Sequence, residues 1–174
     1  MIPSSRAPPA AHGVRQISNK IAVQIADGVV AVPRAASLRR WARAALGAAE
    51  RTGSLCIRVV DATEMAELNK RFRHREGTTN VLSFAADTDF PGGGEPLLGD
   101  VVICAPVVAL EAVVQHKTAA DHYAHLVVHG VLHLCGYDHE KPRDAKVMES
   151  HEVAILRTLG IADPYRTGAS LGHE

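Results

Sequence analysis

The sequence predicts a single α+β domain, in which a small mixed sheet of about four strands packs with about five helices. Three observations lead to this prediction. The chain has 174 residues, 47% of them hydrophobic, which is enough for one core. Short apolar runs typical of strands are interspersed with runs of helical periodicity. One later run, 126–134, is apolar nearly all the way round a helix, which indicates that this helix is buried at the centre of the domain.

The first half of the chain alternates strand and helix patterns. Alternating apolar residues at 21–25 predict a half-buried strand, and helical spacing at 38–49 predicts the first helix. The continuous apolar run 55–60 predicts a second, buried strand. Asp61 with Glu64 three residues later resembles a capping box, which predicts that a short helix begins there.

The second half contains two further strands and three helices. The strands are predicted at 81–85 and 98–104, with a mobile loop between them that contains Pro91 and three consecutive glycines. Pro106 is placed in the first turn of a helix. Thr118 with Asp121 marks the start of the central helix. The last helix is predicted at about 145–159, before a glycine.

Composition and charge limit the extent of the domain and its class. We expect a disordered N-terminal extension at 1–20, one domain at 21–162 and a flexible tail at 163–174. An organelle transit segment is the alternative for the N-terminal extension. A net charge of zero and a pI of about 7.2 argue against a strongly basic nucleic-acid binder, so such a role must depend on local charge.

The expected location is the cytoplasm. The three cysteines are isolated and odd in number, which favours reduced thiols in a cytosolic protein. No apolar run is long enough to predict a membrane span, and the first residues lack the apolar stretch of a secretion signal. We therefore expect no membrane partner.

Three histidines predict a metal site. His129 and His133 are four residues apart, so both imidazoles lie on one face of a helix. Gly136 can adopt the left-handed conformation that ends a helix, and the chain can then return His139 to the same point. Three neutral imidazoles suit one Zn²⁺ ion per chain and leave a fourth position for water or substrate, as in catalytic zinc sites. Imidazole also accepts nickel, copper and iron.

Neighbouring polar residues are candidates for outer contacts to this site. His125 lies one turn before His129, and metal-bound imidazoles usually need a hydrogen-bond partner outside the ligand set. A role in contacting substrate and a purely structural role are the alternatives. Asp138 precedes His139 and is expected either to orient that ligand or to cap the turn.

The same histidine spacing occurs in metzincin peptidases, where a glutamate directly after the first histidine is the general base. Gly130 occupies that position here. Because the carboxylate is absent, a zinc metallopeptidase is the less favoured function.

A basic cluster lies near the end of the second predicted helix, where Lys70, Arg71, Arg73 and Arg75 surround a phenylalanine and a histidine. Cations at a helix C-terminus are favoured by the helix dipole alone. Guanidinium groups also bind phosphate oxygens bidentately, and an aromatic ring can stack on a base. The cluster is thus compatible with an RNA substrate.

At 129–139 the run His-Gly-Val-Leu-His-Leu-Cys-Gly-Tyr-Asp-His resembles the signature of the YbeY family of bacterial endoribonucleases. Supporting motifs occur in the family's order at Leu68-Asn69 with Arg73, at Thr79 to Phe84, at Gly99 to Ile103 and from Met148-Glu149 to Ile161. The resemblance covers residues 50–165. By position, the family's zinc ligands fall on His129, His133 and His139, and its functional arginine falls on Arg73.

The resemblance implies a metal-dependent endoribonuclease that is specific for single strands. Such an enzyme matures the 3′ end of 16S rRNA and contributes to ribosome quality control. The implied partners are single-stranded RNA, rRNA, the small ribosomal subunit and ribosomal proteins. The resemblance also leaves an alternative from another class, a non-catalytic ribosome assembly factor in which the metal is structural.

Overall fold

The fold is described for residues 19–87 and 95–166 of a computed structural model. The elements follow in the order β1 (Ile21–Ile25), α1 (Ala35–Ala48), β2 (Ser54–Val60), α2 (Ala62–Arg73), β3 (Val81–Ala85), β4 (Leu97–Cys104), α3 (Ala105–Val114), α4 (Ala119–Leu134) and α5 (Pro142–Thr158). The predicted N-terminal extension up to residue 18, the glycine-rich loop at 88–94 and the tail from 167 lie outside the described residues. Within those ranges, no helix is both long and apolar enough to cross a membrane.

The four strands form one mixed sheet in the order β1-β2-β4-β3. Strands β1, β2 and β4 run parallel, and β3 pairs antiparallel with β4 at one edge. The predicted α+β class, strand number and helix number are therefore confirmed for the described residues.

Helices cover both faces of the sheet. Because successive side chains of a strand point to opposite faces, Val101 and Ile103 of β4 join the main core with α1, α4 and α5. Val102 and Cys104 point the other way and join a smaller core with Met65 of α2. Most of α4 is buried, as the sequence predicted.

Two predicted helix starts are confirmed, but one capping box is only half formed. The Asp61 carboxylate accepts from the backbone N–H of Glu64, and the Thr118 hydroxyl accepts from that of Asp121. The Glu64 side chain does not return to Asp61. It pairs instead with the Arg58 guanidinium at 2.7 and 3.0 Å, because a bidentate ion pair with β2 is within its reach.

The last helix begins earlier than predicted. Helix α5 starts at Pro142 rather than near residue 145, since proline is well tolerated in the first turn, where its missing N–H is not needed. The first residues of the predicted flexible tail pack against the domain, because the Pro164 carbonyl accepts from Lys117 and Tyr165 contacts Glu152.

Gly130 allows α4 to approach the sheet closely. A Cβ atom at this position would lie 2.5 Å from Cγ1 of Val101 in β4 and 3.1 Å from Oγ of Ser83 in β3. The Ser83 hydroxyl donates to the Gly130 carbonyl at 3.2 Å, which ties the helix to the edge strand. The position of α4 on the sheet therefore depends on a missing side chain.

We expect Gly130→Ala to lower the free energy of unfolding by about 1–2 kcal/mol, because overpacking outweighs the gain in helix propensity. Urea unfolding of the purified protein measures the change. Gly47→Ala is the matched control, since Gly47 also lies in a helix and its added Cβ would meet nothing within 4 Å. That variant should gain about 0.5–1 kcal/mol. Equal gains in both variants would contradict the packing argument.

Candidate metal centre

The end of α4 and the turn after it form the framework of the site. Gly136 has a φ of 94°, in the left-handed region. Its N–H donates to the His133 carbonyl at 3.0 Å, and the Tyr137 N–H donates to the Leu132 carbonyl at 3.1 Å. These two bonds form a Schellman motif, which satisfies the last carbonyls of the helix and reverses the chain. The predicted helix end at Gly136 is confirmed.

The turn brings the three predicted histidines together. One ring nitrogen from each of His129, His133 and His139 lies within 4.8 Å of the other two. The Nε2 atoms of His129 and His133 are 3.1 Å apart. Two nitrogens bound to one tetrahedral zinc ion at about 2.0–2.1 Å are separated by about 3.4 Å. The donor set and its spacing therefore fit Zn²⁺, with one coordination position left open.

Hydrogen bonds orient two of the rings. Nδ1 of His133 lies 3.0 Å from the Tyr137 carbonyl oxygen, and Nδ1 of His129 lies 2.6 Å from Oε1 of Glu152. A carbonyl or carboxylate oxygen can only accept, so both Nδ1 atoms are donors. This leaves the Nε2 lone pairs free for a cation, which is the usual arrangement around histidine-bound metals.

His133 is held in the neutral form that a metal requires. Burial, followed by the neighbouring rings of His129 and His139, lowers the pKa of His133 from 6.5 to about 4. The ring therefore stays neutral at pH values somewhat below 6.5, where a free histidine would be protonated. Protons then compete only weakly with a metal for its nitrogen.

Glu152 of α5 is a site residue that the sequence analysis missed. Its carboxylate is buried and accepts from His129, from His125 at 3.2 Å and from the Tyr165 hydroxyl. Burial alone would raise the pKa of Glu152, but these hydrogen bonds lower it to about 2, so the group is an anion. The available signal was a carboxylate on the apolar face of α5, between Met148 and Ile155.

The other predicted outer residues have distinct positions. His125 donates to the same Glu152 carboxylate as His129, and the two imidazole rings lie edge to face with their centroids 6.3 Å apart. His125, His129 and Glu152 thus form a compact group, which these hydrogen bonds explain. The Asp138 carboxylate accepts from the backbone N–H groups of His139 and Glu140 at 2.7 and 3.2 Å. These contacts cap the turn, and one of them holds the backbone of the predicted ligand His139.

The histidines open into a cleft of about 840 Å³ whose opposite wall is formed by β3 and the segment before it. Arg73 and Arg75 line this cleft, but Lys70 and Arg71 do not. Lys70 pairs with Glu76 at 2.9 Å on the surface. Arg71 lines a separate depression along α2. The structure thus divides the predicted basic cluster between two surfaces.

Arg73 shares the cleft with the metal ligands. Its Nη2 atom donates to the Ser83 carbonyl of β3 at 3.1 Å, and the residue is otherwise exposed. This bond anchors one corner of the guanidinium, so the remaining N–H groups can face the cleft. A guanidinium held in this way can bind an anion beside the imidazoles.

The position of the metzincin base leaves no room for a side chain. Gly130 faces Val101 and Ser83 of the sheet, so a glutamate side chain there would have to displace both. The peptidase mechanism therefore has no place for its base at this position.

The metal-free protein should lose stability in mild acid. Because the folded pKa of His133 is about 4 and the unfolded value about 6.5, the unfolded chain takes up the proton first as the pH falls. We expect the free energy of unfolding to drop by about 1 kcal/mol between pH 7 and pH 5, after allowing for partial exposure. Urea unfolding of the protein treated with a chelator measures this change.

Replacing the ring should reduce that dependence on pH. We expect His133→Gln to flatten the change in stability, whereas His116→Asn should leave it as in the parent chain. His116 is exposed, and asparagine tolerates its left-handed backbone. An unaltered slope in His133→Gln would argue against the assignment.

Comparisons with known proteins agree with the geometry. A profile of the Endoribonuclease YbeY family matches residues 25–160. Endoribonuclease YbeY of Nitrosococcus oceani is 49% identical over 152 residues, which cover 87% of this chain and 99% of that protein. The Alkalilimnicola ehrlichii protein of the same name is 57% identical over 139 residues, which cover 78% and 83% of the two chains.

A solved structure supports the fold alone. The solution structure of TM1509 from Thermotoga maritima aligns with a TM-score of 0.53 at 19% identity, covering 88% of this chain and 99% of that one. The sequence relatives share far more identity over nearly their whole length. The site and these comparisons together show that the chain belongs to the YbeY family of endoribonucleases.

Proposed function

We propose that this protein is a zinc-dependent endoribonuclease, specific for single strands, that matures the 3′ end of 16S rRNA and contributes to ribosome quality control in the cytoplasm. One observation carries the proposal: three convergent imidazoles and an anchored arginine line the same cleft. The names of the relatives support the endoribonuclease activity. Single-stranded RNA, rRNA, the small ribosomal subunit and ribosomal proteins are the proposed partners.

The proposed roles follow from the chemistry of the groups in the cleft. His129, His133 and His139 would hold a zinc ion, which supplies Lewis acidity toward a phosphodiester oxygen or an attacking hydroxyl group. Arg73 would bind the phosphate and stabilise the negative charge that develops on its oxygens. Its bond to the Ser83 carbonyl fixes the guanidinium before substrate arrives, so little reorganisation is needed.

The remaining cations would guide the RNA strand. Arg75 lines the cleft and would contact a phosphate next to the one that is cleaved. Lys70 and Arg71 lie outside the cleft and would contact the strand where it leaves the site. Contacts to phosphates add affinity without reading sequence, and they weaken as salt is raised. Asp138 and His125 would act indirectly, through the turn and through Glu152.

Cleavage of labelled single-stranded RNA by the metal-replete protein tests the proposal. We expect cleavage by the parent protein and none by a His129→Ala, His133→Ala double variant prepared in the same way. Equal cleavage by both samples would indicate a contaminating nuclease. Absence of cleavage by either would favour the non-catalytic assembly factor.

We expect Arg73→Ala to lower the turnover number about a hundredfold, because one preorganised donor contributes roughly 3 kcal/mol to transition-state stabilisation. Zinc content should stay at the parent level, since Arg73 contacts none of the three histidines by a hydrogen bond in the described residues. Single-turnover cleavage rates and metal analysis measure the two quantities. Arg40→Ala removes an exposed arginine of α1 and serves as the control. Turnover at the parent level in Arg73→Ala would defeat the assignment.

A further inference from the structure

We propose that Tyr165 is a positioning residue for the metal centre: its hydroxyl group fixes the Glu152 carboxylate, which in turn fixes the ring of His129. The proposal rests on the metal-dependent function proposed above. It gives the segment after the last helix, residues 161–166, a part in metal retention. We refer to these residues as the C-terminal segment.

The two carboxylate oxygens of Glu152 have different tasks. Oε1 lies 2.6 Å from Nδ1 of His129. Oε2 accepts from Nε2 of His125 at 3.2 Å and from the Tyr165 hydroxyl. Because two donors hold Oε2 from one side, the carboxylate plane is fixed and Oε1 is directed at His129. The carboxylate side chain is only 1% exposed, so water cannot replace a lost donor without opening the site.

The C-terminal segment is built to bring Tyr165 to this point. The Ile161 N–H donates to the Leu156 carbonyl at 2.9 Å, which turns the chain back after α5. The Pro164 carbonyl then accepts from Nζ of Lys117 at 2.7 Å, and the Tyr165 N–H donates to Asp163 at 2.9 Å. The segment thus spans from the end of α5 to the start of α4, and both of its ends are anchored.

Tyr165 also packs on His125, which donates to the same oxygen of Glu152. The ring centroids of Tyr165 and His125 are 5.5 Å apart at an interplanar angle of 81°, an edge-to-face contact. Burial and the bond to Glu152 raise the pKa of Tyr165, so its hydroxyl remains a donor at neutral pH. The phenol, the imidazole and the carboxylate therefore form one network that ends at a metal ligand.

Loss of a direct outer partner typically lowers metal affinity about 10–100-fold. We expect that loss for Glu152→Gln, because the amide retains one acceptor oxygen where the carboxylate has two. Tyr165→Phe removes one donor a step further out, so we expect a loss of the order of threefold to tenfold. The double variant should bind zinc no more weakly than Glu152→Gln alone, since the proposed effect of Tyr165 on His129 passes through Glu152.

The experiment measures zinc dissociation constants of the full chain by competition with a chromophoric chelator, in the absence of RNA. Two control variants match the chemical changes. Tyr123→Phe also removes a phenol hydroxyl, and that hydroxyl has no hydrogen-bond partner in the described part of the chain. Glu149→Gln neutralises an exposed carboxylate of the same helix as Glu152. Both controls should bind zinc as the parent protein does.

Several results would overturn the proposal. One is parent-level affinity in Tyr165→Phe, and another is an equal loss in Tyr123→Phe. A third is an additive loss in the double variant, which would mean that Tyr165 acts by another route. Reduced unfolding free energy of metal-free Tyr165→Phe with unaltered zinc affinity would assign the residue a merely structural role.

The design separates this proposal from the proposed function. If the parent protein binds zinc and Tyr165→Phe binds it equally well, only the positioning role fails. If the parent protein binds zinc no better than a His129→Ala, His133→Ala variant, the metal-dependent function itself fails. Should Glu152→Gln not fold, Tyr165→Phe still provides the test, because Tyr165 is 44% exposed and its ring is retained.

Discussion

Helix α4 lies on the sheet at a distance that leaves no room for a side chain at Gly130. At this short distance the Ser83 hydroxyl donates to the Gly130 carbonyl of the helix. The backbone carbonyl of Ser83 accepts from the Arg73 guanidinium. The same strand residue therefore fixes both the ligand-bearing helix and the arginine. The helix that carries His129 and His133, and the arginine across the cleft, are thus both held to β3.

A buried charge imposes the second constraint. Glu152 brings an anion into a part of the domain where an unpaired carboxylate would be strongly unfavourable. Three donors compensate it, and they come from two elements of the chain, α4 and the C-terminal segment. Because Glu152 belongs to α5, the geometry of one imidazole depends on the packing of several elements against each other.

Much of the site could be predicted because its ligands are local. The spacing of His129, His133 and His139, with Gly136 between the last two, specifies a helix, its end and a return of the chain. Local caps were predictable for the same reason, as Asp61 shows. The order of the strands in the sheet could not be predicted, since parallel pairing joins strands that are distant in sequence.

The remaining residues of the site depend on tertiary contacts. Glu152 is far from the histidines in sequence, and only the packing of α5 on α4 reveals its role. Spacing alone also could not show that the basic cluster is divided between two surfaces. Arg73 is the last residue of α2 and lines the cleft, whereas Arg71 lines another depression along the same helix. The Glu64 side chain forms an ion pair with Arg58 of β2 instead of completing the predicted capping box.

The three imidazoles all lie within residues 129–139, and this closeness in sequence has a consequence for metal uptake. An unfolded or newly synthesised chain keeps these rings near each other, so it can already associate with a cation before any sheet exists. Binding to the unfolded form subtracts from the stabilisation that a metal gives to the folded form. Any preference of a cation for the folded domain must then come from groups that only folding supplies, foremost the distant carboxylate on α5.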